Sequence, residues 1–192
     1  LIFLPFIKAI SQRFETPINL LVKENSKADQ YLNQTNYLDK IIFLKRVNNK
    51  NDQHNGIIGS VRLAQDLKKY KFDKIFIFNS SLRFRLIAKL AKIKEIYQYP
   101  LLKKNNQHII QSARDLIKNS LGLEVTNSPQ IQVDNDLIKK AIFKFHINNN
   151  ELNILFGIGG SGPTKRIPSK TFLSVMEKIY NFKKTKFFLA TG

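Results

Sequence analysis

The sequence predicts an α/β fold in which parallel strands alternate with covering helices, and three observations carry that prediction. Short apolar runs such as INLLVK (residues 18–23), DKIFIF (73–78) and LNILF (152–156) have the length and β-branched, aromatic content of buried strands. Between them lie segments with apolar residues at helical spacing, such as Leu63, Ala64 and Leu67, or Ile109, Ile110, Ala113, Leu116, Ile117 and Leu121. Hydrophobic residues make up 43% and charged residues 24% of the 192 positions, which gives the chain enough apolar surface to bury a core and excludes a disordered protein.

Taken in order, Pro5 at a helix-opening position and apolar residues from Leu4 to Phe14 predict a first helix. Ile18–Lys23 reads as a strand, SKADQYL as a short helix capped by Ser26, and Asp39–Arg46 as a second strand. After a polar loop to Gly56 comes a helix ending near Tyr70, then the strand Asp73–Phe78. The chain turns at Asn79–Ser81 into a further helix, and a short strand follows near Ile96–Tyr99. A helix starting at His108 ends at Gly122, whose missing Cβ suits a left-handed terminator. The segment 136–145 is helical, Leu152–Phe156 is a strand, a helix begins near Ser169, and FFLATG reads as a last strand.

Strand and helix alternate throughout, so right-handed crossovers and a parallel sheet covered on both faces follow. The pattern restarts at Leu152 after a polar stretch within 126–150. This predicts a Rossmann-like N-terminal domain over 1–145, with its first strand missing, and the truncated beginning of a second Rossmann-like domain over 151–192. The ends, Leu1 without a Met and Gly192 just after a strand, read as those of a fragment cut from a longer protein, one that behaves poorly alone because strand edges are left unpaired.

No apolar run reaches the roughly 20 residues that span a bilayer, and LIFLPFIKAI, broken by Pro5 and Lys8, lacks the flanks of a signal peptide. With no Cys there is no disulfide framework and no thiolate metal site, which fits a reducing, cytoplasmic location. The net charge of +18 is spread along the chain without a block of like charges. Lys, Asn, Ile and Phe are abundant together while Trp is absent, as an AT-rich coding sequence produces. The charge therefore points to anionic partners, phospholipid surfaces included, rather than to nucleic acid.

The most informative stretch is LNILFGIGGSGPTKRIPSKTF, residues 152–172. Gly157, Gly159 and Gly162 satisfy the dinucleotide pattern G-x-G-x-x-G. Pro163 and Pro168 oppose a helix starting within the glycines, and no acid follows at the end of the next strand to hold a ribose. A P-loop would need its Lys directly after the last Gly, whereas Pro163 and Thr164 intervene before Lys165. The remaining readings are a plain connector and a phosphate cradle. In the cradle, backbone amides around Gly160 and the Ser161 hydroxyl meet phosphate oxygens while Lys165 supplies a full charge. Its position at the carboxyl end of a parallel strand, where open α/β sheets bind ligands, favours the cradle.

Four segments in order also resemble a known family. GSGPTKRIPSKTFLSVMEKI, with Lys165, Pro168 and Phe172 in register, is similar to the segment that opens the second domain of the heptosyltransferases, glycosyltransferase family nine, although Ile167 stands where Trp is usual. LPFIKAI resembles the family's TPLIRAL, FDKIFIFNSSLRFRLIAKLAKIKEIYQY its YDxVIDLQxSLRSxLLAxLA run, and QHIIQSARDLIKNSLGL its His-initiated helix ending in Leu-Gly. The resemblance implies a GT-B architecture, with two Rossmann-like domains facing each other across a cleft. It implies inverting transfer of a heptose from a nucleotide sugar, ADP-heptose, to the lipopolysaccharide inner core, with no cofactor and no required metal. It implies too that Lys165 acts in catalysis by neutralising the leaving diphosphate, that Gly160 and Ser161 bind that diphosphate, and that the general base lies upstream of Leu1. Arg83 and Arg85 are candidates for holding an anionic acceptor, a Kdo carboxylate or a phosphate. The 192 residues alone are then expected to be inactive, and the whole enzyme to be cytoplasmic with peripheral contact to the inner membrane. The alternative is a non-catalytic anion- or nucleic-acid-binding α/β module.

Overall fold

The computed structural model describes residues 1–46, 53–101, 107–126, 128–159 and 166–191. Its contacts group into two compact units, Leu1–Gln132 and Val133–Gly192.

In the first unit, α1 (Leu4–Phe14) leads into β1 (Ile18–Lys23), then α2 (Asp29–Leu32) and β2 (Leu38–Leu44). After these come α3 (Gly56–Lys68), β3 (Lys74–Ile77), α4 (Leu82–Leu90), β4 (Glu95–Gln98) and α5 (Ile109–Leu121). Pro5 occupies the first turn of α1, where its missing N–H costs nothing, and Gly122 closes α5 with φ 69°. Ser26 does not cap a helix: it sits in a 3₁₀ turn over Glu24–Ser26, and α2 starts after Ala28 without a side-chain cap.

β1 pairs with β2 and β3 with β4, both in parallel, as separate two-stranded ladders rather than one continuous sheet. The ladders nevertheless share two apolar cores. On one face Leu21 and Ile42 of the first ladder and Ile75 and Ile77 of the second pack with Leu63, Ala64 and Leu67 of α3 and Ile87 and Ala88 of α4. On the other, Ile18 and Phe76 pack with Phe6 and Ile10 of α1 and Ala113 and Ile117 of α5. Strands apolar on both faces are what helices on both sides of a parallel sheet demand. Among the described residues β1 and β3 are not bonded to each other, and each has one edge without a strand partner. A third cluster seats α1 and α2 on the first ladder through Leu4, Ile7, Leu32, Leu20 and Val22.

The second unit holds α6 (Asn135–Lys144), β5 (Leu152–Gly157), α7 (Ser169–Phe182) and β6 (Thr185–Ala190), with β5 and β6 parallel from Leu152↔Thr185 to Gly157↔Ala190. Phe156 meets Phe172 of α7 edge-on at 5.7 Å between ring centroids. The sequence reading groups residues 136–145 with the first domain, whereas their contacts put α6 with the second unit. There Phe145 packs edge-on against Phe188, and Lys186 Nζ donates to the carbonyls of Phe145 and His146 at 2.9 and 2.7 Å, satisfying the carboxyl end of α6. No helix among the described residues is long and apolar enough to cross a membrane.

Candidate functional site

The polar groups of the first unit gather at the carboxyl ends of β2, β3 and β4. Asn79 Oδ1 accepts from Ser81 N at 2.9 Å, turning the chain from β3 into α4. Gln98, the last residue of β4, clasps that turn by donating Nε2 to the carbonyls of Asn79 and Ser81 at 3.0 and 2.9 Å. Arg83 then projects from the first turn of α4 and donates Nη2 to the carbonyl of His54, across the edge from β2.

His54 is the latch of this edge. Only 4% exposed, it donates its backbone N–H to Lys45 O and accepts Lys45 N–H at Nδ1, both at 3.1 Å. Its Nε2 faces Asp66 Oδ2 of α3 at 3.4 Å. Asp66 also pairs with Lys69 at 2.8 Å, and chiefly for that reason its carboxyl lies below its ordinary pKa, burial opposing and His54 assisting. The latch approaches α3 so closely that only a glycine fits: a Cβ on Gly59 would lie 2.3 Å from the His54 carbonyl carbon.

This edge is electropositive and incompletely satisfied. The Arg83 guanidinium has its pKa lowered, first by burial and then by the Arg46 charge just beyond β2. Among the described residues no carboxylate forms an ion pair with Arg46, Arg83 or Arg85. Among the described residues, Arg83 Nε, Gln98 Oε1 and Tyr99 Oη have no hydrogen-bond partner although they are shielded from solvent. Burial lifts the Tyr99 hydroxyl to about 12, so it stays a neutral donor. The Arg83 guanidinium and the Tyr99 hydroxyl are donors of the kind an oxyanion takes, whereas Gln98 Oε1 is an acceptor. Arg85 is partly exposed two residues further along α4, on a different side of the helix, and among the described residues no hydrogen bond ties it to the latch.

Of the residues singled out in the sequence, Arg83 therefore joins a built constellation. Gly160, Ser161 and Lys165 lie outside the described residues. Just after β5, Ile158 N donates to Ala190 O at 2.9 Å, and α7 begins at Ser169. His108 starts α5, its Nδ1 accepting from Ile110 N at 3.3 Å, but its side chain is exposed. A shallow depression of about 320 Å³ lies at the opposite, amino edge of β1 and β2, between Lys8, Glu15, Thr16 and Tyr37. Among the described residues no three His, Asp or Glu side chains converge as a metal site.

Sequence reasoning missed Arg46, His54, Gly59, Gln98 and Tyr99. Arg46, Gln98 and Tyr99 carried a usable signal, since each stands at the carboxyl end of a predicted strand. His54 and Gly59 carried none, because an Asn-rich loop and a glycine early in a helix look the same whether packed or solvated.

No protein-family model and no curated protein sequence matches the chain. Solved structures do. The crystal structure of a glycosyl transferase family 9 protein from Veillonella parvula DSM 2008 superposes with a TM-score of 0.68 at 16% identity, over 100% of this chain and 65% of that one. E. coli ADP-heptose LPS heptosyltransferase II gives 0.66 at 15% identity, over 98% of this chain and 59% of that one. The chain thus spans roughly three fifths of the length of these relatives. At such identities the likeness speaks for the path of the backbone, and the fold of this chain is that of the family 9 glycosyltransferases, GT-B proteins built from Rossmann-like units.

Proposed function

We propose that the chain is part of a glycosyltransferase that moves a heptose from ADP-heptose to the inner core of lipopolysaccharide, with inversion. The carrying observation is the fold shared, over nearly all of this chain, with a heptosyltransferase. The carboxyl edge of the first unit supports it: Arg83 and Arg46, with no carboxylate partner among the described residues, suit an acceptor bearing phosphates or carboxylates, and Arg85 lies two residues beyond Arg83 on α4. On the second unit, the amides near Gly160, the Ser161 hydroxyl and Lys165 would hold the donor diphosphate, with Lys165 stabilising charge as the diphosphate leaves. A base outside the 192 residues would take the acceptor proton.

The acceptor is a lipid, and the first unit offers a surface suited to one. Leu82, Leu86 and Leu90 stand one turn apart on the outer face of α4, and Ile57, Ile58 and Val61 are exposed on the adjacent α3. Arg62 and Lys89 lie on the exposed sides of the same helices. Such a mix of apolar stripes and cations suits peripheral contact with an anionic membrane, at the cytoplasmic face of the inner membrane in this reading.

The test is an assay of the full-length protein with ADP-heptose and a lipopolysaccharide acceptor truncated before the heptose. Release of ADP with sugar appearing on the acceptor is expected. No turnover with ADP-heptose, together with acceptor binding that any polyanion competes away, would favour a non-catalytic anion- or nucleic-acid-binding module.

A further inference from the structure

We propose that β1 and β3 frame a slot for one more strand, parallel to both and apolar on both faces, filled in the full-length protein by the segment that immediately precedes Leu1. The inference goes beyond the proposed function, since it concerns a surface of the first unit that takes up another stretch of polypeptide.

Backbone hydrogen bonds show which groups face the slot. Ile18 N–H donates to Tyr37 O at 3.0 Å, so the backbone of Ile18 faces β2. Backbone polar groups alternate sides along a strand, which turns Leu20 and Val22 toward β2 and Asn19 and Leu21 away from it. The irregularity in this ladder, where Ile18 meets Leu38 but Leu20 meets Ile41, puts its extra residue in β2 and leaves the alternation of β1 intact. In the other ladder Glu95 N–H donates to Asp73 O at 3.0 Å, so Asp73, Ile75 and Ile77 face β4 while Lys74 and Phe76 face away from it. Among the described residues nothing bonds the backbone groups that Asn19, Leu21, Lys74 and Phe76 turn outward.

These groups do not lie on a solvated rim. α1 covers both strands: its Phe6 and Phe14 meet Phe78 and Phe76, and its Leu4 and Ile7 pack with Leu20 and Val22. α3 and α4 cover the opposite face, packing on Leu21 of β1 and on Ile75 and Ile77 of β3. The two free edges therefore face each other beneath shared helices, where an unpaired amide or carbonyl costs as much as a lost hydrogen bond. One strand at ordinary spacing pairs both edges. It sets β1 and β3 about 10 Å apart, a span that a helix about 10–12 Å across can cover. Lying between helices, its side chains must be apolar on both faces.

Chain direction selects the occupant. A strand parallel to β1, followed by α1 and then by β1 itself, forms the usual right-handed crossover unit. Phe3, at the start of α1, stacks at 5.0 Å on Phe78, just past the carboxyl end of β3. A parallel strand leaving the slot at that end therefore reaches Leu1 through a short turn.

The experiment uses the full-length protein, isotope-labelled for nuclear magnetic resonance. Couplings transmitted across hydrogen bonds identify the carbonyl that accepts from the Leu21 and Phe76 amides, and exchange into heavy water reports how firmly each amide is held. Both should couple to carbonyls of residues preceding Leu1. Both should also exchange within about tenfold of the rates of Leu20 and Ile75, whose amides are paired inside the ladders. An acceptor within residues 1–192, such as direct pairing of β1 with β3, overturns the proposal. So does a coupling found only between differently labelled chains mixed in one sample, which would put a second copy in the slot. Faster exchange with no coupling means an open slot and overturns it as well. Neither measurement needs a sugar donor or turnover, so failure here is distinct from failure of the glycosyltransferase reading.

Discussion

Replacing Gly59 by Ala separates the latch from ordinary helix energetics, because the two predict opposite signs. Gly59 sits in α3, where Ala is favoured over Gly by about 1 kcal/mol, so propensity alone predicts a more stable protein. The geometry predicts the reverse. The new Cβ would stand 2.3, 2.7 and 2.9 Å from the carbonyl carbon, Cα and oxygen of His54, all backbone atoms that no side-chain rotation can clear. Relief needs His54 and α3 to part by about 1 Å, judged from ordinary contact distances. Overpacking of this kind costs about 1–3 kcal/mol. The displacement also stretches the bonds of His54 to Lys45 and Arg83, each worth about 0.5–1.5 kcal/mol. After the propensity gain, a net loss of about 1–5 kcal/mol is expected, and with a urea slope of about 2 kcal/mol per M the midpoint should fall by roughly 0.5–2.5 M. Urea unfolding of the full-length protein, followed by far-ultraviolet circular dichroism, measures it. A Gly59→Ala protein as stable as the wild type, or more so, would refute the close approach and the latch built on it.

Two further outcomes follow from the proposed function. In the full-length enzyme, Lys165→Ala should lower kcat/KM about 10²-fold or more, as expected for one lost stabiliser of the leaving diphosphate, while Ser161→Ala, which removes a neutral hydrogen bond worth about 0.5–1.5 kcal/mol, should cost far less. Near-normal turnover by the Lys165 variant would leave its segment a mere connector. Vesicles containing anionic lipid should bind the full-length protein more tightly than neutral vesicles, with the difference lost in high salt and reduced by Leu86→Glu. Equal binding to both would make base composition the better account of the +18 charge.

Element type and order were legible because they depend on near neighbours in the chain. The helical spacing of Leu63, Ala64 and Leu67, the terminating Gly122 and the apolar run at residues 152–156 each act within a few residues, and the structure has an element at each of these places. The Ser26 cap failed because a single hydroxyl competes poorly with the turn the surrounding chain prefers; its Oγ is shielded and has no hydrogen-bond partner among the described residues. The likeness of four segments to family nine agrees with the fold, which is shared at 15–16% identity with a family 9 protein and a heptosyltransferase.

What tertiary structure alone decided is which polar residues meet. Arg46, His54 and Arg83 are distant in sequence and come together because β2, β3 and α4 deliver them to one edge. Nothing within HNG distinguishes a buried histidine from a solvated one; its burial follows from the glycine one turn into α3 and from a backbone amide that needs an acceptor. Likewise α6 reads as an amphipathic helix that either unit could hold, and only the carbonyls it offers to Lys186 and the ring it sets against Phe188 assign it to the second. Periodicity records which side of an element is apolar, since that is a property of local spacing. The identity of the partner on that side is a long-range pairing, fixed when the chain closes its loops and buries one particular set of hydrogen bonds.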